Sequence, residues 1–66
     1  MTRTQTKRYL ELDIDTEENY AVDYNNHRYS NDPFYRRMAA RNLRLAKLVR
    51  YRIDIWQRLI DFGCFD

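Results

Sequence analysis

The chain has 66 residues, 44% of them apolar and 15% aromatic, with one Gly, one Pro, one Cys and one His. One domain at most fits this length, its core is marginal without a staple or a partner, and the lone Cys64 and lone His27 exclude an internal disulfide and a zinc site built on them. A formal net charge of +2 conceals a partition: residues 1–8 carry three bases, residues 9–32 seven acids against Arg28, and residues 33–62 eight bases against two acids.

Residues 1–8 are polar and basic and read as a flexible arm ahead of a single small domain, 9–66. No apolar stretch follows them, so no signal peptide is expected. The longest apolar run is Met38-Ala39-Ala40, too short for a membrane span. Cys64 stands third from the end, which does not fit a prenylation box. These features together point to a soluble, reducing, cytoplasmic setting.

From Tyr9 to Asp15, Leu10, Leu12 and Ile14 alternate with Glu11, Asp13 and Asp15, the period-two signature of a half-buried strand. Thr16-Glu17-Glu18-Asn19 is polar enough to turn, and Tyr20, Val22 and Tyr24 then alternate with Ala21 and Asp23. The pattern predicts an acidic, tyrosine-rich β-hairpin over 9–24. The alternatives are a short helix capped by Thr16, or a mostly α chain. Residues 25–32 read as a linker. Asp13 to Glu18 also hints at a calcium loop, but Glu18 stands where such a loop needs Gly and Tyr24 where it needs Glu.

Asp32-Pro33 opens a stretch without Gly or Pro that runs to Phe62 and ends at Gly63. Asp can cap free amides, Pro suits the first helical position and Gly suits the stop, so one long helix over 33–62 is predicted. Met38, Asn42, Leu45, Val49, Ile53, Trp56 and Ile60 follow the three–four rhythm of a core-facing stripe. A second stripe, Leu48, Tyr51, Ile55, Leu59 and Phe62, appears only in the C-terminal half. Val49, Tyr51, Ile53 and Ile55 also alternate with Arg50, Arg52 and Asp54, so a helix 33–47 followed by a strand 48–56 is the competing reading. The predicted class is α+β: a short N-terminal β-hairpin whose Leu10, Leu12, Ile14 and Val22 pack on one long amphipathic helix.

His27, Ser30 and Cys64 are the candidate nucleophiles or bases, and none sits on a rigid element that would position it. No catalytic residue, metal, cofactor or small-molecule substrate is therefore expected. The expected function is that of a small non-enzymatic interaction module, an adaptor, inhibitor or assembly subunit. It would dock a larger protein, or self-associate, through Trp56, Ile55, Leu59, Phe62 and Tyr51. The alternative is a nucleic-acid-binding regulator that tracks phosphates with Arg36, Arg37, Arg41, Arg44 and Lys47.

Overall fold

The chain contains no Gly or Pro before Pro33, and it begins with Thr2-Arg-Thr-Gln5, a capping box. In the computed structural model, which describes residues 2–63, that box is formed. The Gln5 amide donates to Thr2 Oγ1 (3.2 Å) and the Thr2 amide to Gln5 Oε1 (2.9 Å). It opens a first helix, α1, Arg3–His27. A turn over residues 28–32 leads to α2, Pro33–Phe62. The two helices pack side by side as an antiparallel α-hairpin with Cα extents of 52 × 14 × 14 Å. No helix among the described residues is long and apolar enough to cross a membrane.

The predicted β-hairpin is therefore wrong: residues 9–24 are helical, and the described residues contain no strand. Residues 3–8, read as an arm, form the first turns of α1. The alternation of Leu10, Leu12 and Ile14 misled because it is too short to decide between periods. On a helix these three side chains fan out, and Leu12, Ile14 and Val22 remain exposed where the hairpin reading packed them inside. Nothing between Thr16 and Asn19 forces a turn, since Glu is a good helix former. The linker also shrinks, because α1 runs on through Asn25-Asn26 to His27.

The alternative strand over 48–56 is likewise absent; α2 is continuous and 30 residues long. Its boundaries follow from the residues that flank it. The Phe34 amide donates to Asp32 Oδ1 (2.9 Å) with Pro33 at the first helical position, and Gly63 adopts φ +62°, the left-handed conformation that favours glycine.

The inter-helix seam is thin in apolar content. On α1 it is Thr6, Leu10, Asp13, Glu17, Tyr20, Tyr24 and His27, all buried or half-buried at three–four steps. On α2 it is Ala39, Asn42, Ala46, Val49, Ile53, Trp56 and Ile60. Among the described apolar residues, only Ala39 and Ile53 are fully buried. A compact protein of 8.2 kDa has about 4,500 Å² of accessible surface; this hairpin has 5470 Å². Its radius of gyration is 15.0 Å, against about 11 Å for a globular chain of this length.

Candidate functional site

Three polar links and one ring stack fasten the middle and the open end of the hairpin. Asp13, only 8% exposed, sits on the inner face of α1. Its Oδ2 accepts the Trp56 indole N–H (2.8 Å) and lies 3.2 Å from Arg52 Nε. A carboxylate in that position has both a neutral and a charged donor, so its burial is compensated. The Tyr9 ring stacks on Trp56 at 5.7 Å between centroids. One turn further along, Arg50 lies 3.7 Å from Glu17 on the opposite flank of the pair. At the loop end, His27 stacks on Tyr35 (5.1 Å), and the Arg28 guanidinium lies over the rings of Tyr24 (4.9 Å) and Tyr29 (4.7 Å).

These contacts give the fold an orientation. Each residue that precedes an inner-seam residue is rotated by about 100° from it. In an antiparallel pair, that rotation brings the preceding residues of both helices to the same side. Arg52, which precedes Ile53, reaches Asp13 on that side, and Tyr9, which precedes Leu10, covers Trp56 there. Along α2 this outer seam reads Met38, Arg41, Leu45, Leu48, Arg52, Ile55, Leu59 and Phe62, an unbroken alternation of three and four steps. Six of its eight members are apolar; Leu45 and Leu59 are half-buried, while Met38, Leu48, Ile55 and Phe62 are exposed. Phe62 is 75% exposed, Leu48 64% and Ile55 40%, with Tyr51 beside them at 70%.

The predicted partner-binding residues thus divide. Tyr51, Ile55, Leu59 and Phe62 lie on or beside the outer seam. Trp56 does not: it is half-buried between the helices, with its N–H on Asp13. Leu48 and Met38 belong to the exposed seam as much as the predicted residues do. Asp13 and Tyr9 are the structural partners that sequence reasoning missed. The signal for Asp13 was its place on the same three–four ladder as Thr6, Leu10 and Tyr20, which a search for apolar periodicity passes over.

Arg36, Arg37, Arg41, Arg44 and Lys47 are all exposed, and none has an ion-pair partner among the described residues. The acids of α1 that find bases pair with Arg50 and Arg52 instead. An open depression of about 320 Å³ lies between Pro33, Arg36, Arg37 and Ala40, and one of about 330 Å³ between Gln5, Arg8, Tyr9 and Leu12. No three His, Cys, Asp or Glu side chains gather among the described residues. His27 is held in its ring stack, Ser30 Oγ accepts the Asp32 amide (3.1 Å), and Cys64 lies outside the described residues. Compared with protein-family models, curated proteins and solved structures, the chain gives no significant match.

Proposed function

We propose that this chain is a small protein-interaction module that docks a helical surface of a protein partner onto the outer seam of α2, centred on Leu48, Ile55, Leu59 and Phe62 with Tyr51 at its edge. The observation that carries the reading is the second seam itself. One helix bears two three–four ladders about 100° apart, and the outer one keeps Met38, Leu48, Ile55 and Phe62 exposed. That is the pattern of a helix with two helical neighbours. The hairpin holds α2 in place through caps at both ends and the Asp13 links at its middle. A docking partner therefore meets a preorganised rod, which lowers the ordering cost of binding. Cytoplasmic placement and a role as adaptor, inhibitor or assembly subunit belong to the same proposal.

The test is affinity capture from the native host after nuclease treatment, using wild type, Ile55→Ser/Phe62→Ser and Arg36→Ala/Arg37→Ala/Arg44→Ala. The reading expects a captured protein that is lost with the seam variant. Capture that disappears with nuclease, or that follows only the Arg variant, overturns it.

A second reading rests on one observation, the row Arg37, Arg41 and Arg44 on a single stripe of α2, which has no ion-pair partner among the described residues. The acids of α1 leave that row open, so it is free to contact phosphates. Nucleic-acid binding through it requires an affinity that falls steeply with salt. A gel-shift titration without complex at low salt removes this reading.

A further inference from the structure

We infer that the partner on the outer seam is a second copy of this chain, stacked so that each α2 lies on the α1 of the other copy in an antiparallel four-helix bundle. The inference rests on the docking role of the seam and names its occupant.

Three observations select this occupant and arrangement. The first is area. The hairpin carries about 1,000 Å² more surface than a compact protein of its mass. A standard interface removes about 800 Å² from each partner. The Cα envelope of the seam side, 52 Å by 14 Å, offers a face of that order. Stacking two copies on this face gives each the covered surface that a hairpin alone cannot achieve.

The second is charge. Within its bounds α1 carries three bases and six acids, net −3, and α2 eight bases and two acids, net +6. Face-to-face hairpins have two two-fold arrangements. A two-fold perpendicular to the helices lays α2 on α2 and sets two strongly basic rods against each other. A two-fold parallel to the helices lays each basic α2 on an acidic α1, so that each α2 has an acidic neighbour on both sides. Like charges in close apposition disfavour the first arrangement and leave the second.

The third is register. A two-fold parallel to the helices keeps every residue at its own height. The pairs Tyr9–Trp56, Asp13–Arg52, Glu17–Arg50 and His27–Tyr35 fix which residues of the two helices are level. By that ruler Arg41 is level with Asp23, and Ile55 with the turn between Tyr9 and Leu12. Asp23, Tyr9 and Leu12 each precede an inner-seam residue of α1, so they share the side of the outer seam. All three are exposed, and Asp23 has no ion-pair partner among the described residues. The parallel two-fold therefore sets Arg41 against the Asp23 of the other copy, and Ile55 against its Tyr9 and Leu12. The one seam cation without an internal partner among the described residues meets an acid there, and Ile55 meets apolar side chains.

The experiment is sedimentation equilibrium of the full chain over a wide concentration range, with a charge-swap cycle. Wild type is expected at twice the 8.2 kDa chain mass. Arg41→Asp and Asp23→Arg should each raise the dimer dissociation constant by about 3- to 10-fold, and the double variant Asp23→Arg/Arg41→Asp should restore it. Both positions are exposed on helix surfaces, so folding is monitored by helical circular dichroism and should be unchanged. A dimer without restoration in the double variant, or an assembly larger than two copies, overturns the inference. A wild-type monomer at every concentration also overturns it. In that case a hydrophobic dye separates the two failures. Dye binding that is lost in Ile55→Ser/Phe62→Ser leaves the docking reading standing with another partner, and no dye binding removes that reading too.

Discussion

Replacing Asp13 by Ala should destabilise the hairpin by about 2–4 kcal/mol, because one carboxylate serves two donors at the centre of a sparse interface. Its Oδ2 takes the Trp56 N–H at 2.8 Å and faces Arg52 Nε at 3.2 Å. A hydrogen bond to a charged group contributes about 1.5–3 kcal/mol, and losing the acceptor leaves a half-buried indole N–H unsatisfied. The Arg52 link adds less than about 1 kcal/mol, since that side chain is more than half exposed and screened by water. Trp56→Phe removes the N–H and part of the indole while keeping a ring against Tyr9, and the double-variant cycle cancels the lost packing to isolate the bond. A coupling energy of about 1.5–2.5 kcal/mol between the two sites is expected. The assay is urea unfolding followed by circular dichroism at one fixed protein concentration, which holds any association constant across variants. Asp13→Asn keeps an acceptor for the indole and should cost about 1 kcal/mol, so the series remains measurable if the Ala variant fails to fold. Additivity of Asp13→Ala and Trp56→Phe within about 0.5 kcal/mol would refute the link.

Trp56→Ala should act on folding before it acts on docking, with a loss of about 2–4 kcal/mol in urea unfolding from the vacated space beside Tyr9; intact hairpin stability alongside lost association would contradict this placement. Gly63→Ala should cost about 1–2 kcal/mol, because the left-handed φ disfavours a Cβ even though open space surrounds it; unchanged thermal unfolding would count against that cap. Asp32→Ala and Thr2→Ala should each cost about 1 kcal/mol by removing an N-cap acceptor, read out as lower helical ellipticity and a lower unfolding midpoint.

The second half of the fold was legible because its punctuation was explicit. Asp32-Pro33 and Gly63 bracket an unbroken run, and those residues make the cap contacts their types imply. The first half carried comparable punctuation. Thr2 and Gln5 form the cap, and no Gly or Pro interrupts the next thirty residues. It was missed because the inner seam of α1 uses Thr6, Asp13 and Glu17 where an ordinary amphipathic helix uses aliphatic residues. The apolar residues that remain, Leu10, Leu12 and Ile14, happen to fall at even spacing. A polar seam hides the period of a helix from any reading that follows hydrophobicity alone.

The candidate surface was legible in part for a related reason. Counting two stripes on α2 was sound, but sorting residues between them required knowing which face α1 covers. With a helix as the neighbour, Met38 and Leu45 move to the outer ladder and Trp56 stays on the inner one. Its indole finds Asp13, a partner 43 positions away in the chain that only the tertiary arrangement reveals. The basic row stays open, because the α1 acids that pair across the hairpin, Asp13 and Glu17, answer Arg52 and Arg50 rather than Arg37, Arg41 and Arg44.

The most direct test of the two-copy bundle on the outer seam is sedimentation equilibrium of wild type beside Ile55→Ser/Phe62→Ser, with circular dichroism on the same samples. The account predicts a two-copy mass for wild type, a single-chain mass of 8.2 kDa for the variant, and equal helical content in both. Equal masses for the two proteins, with helical content intact, would contradict it.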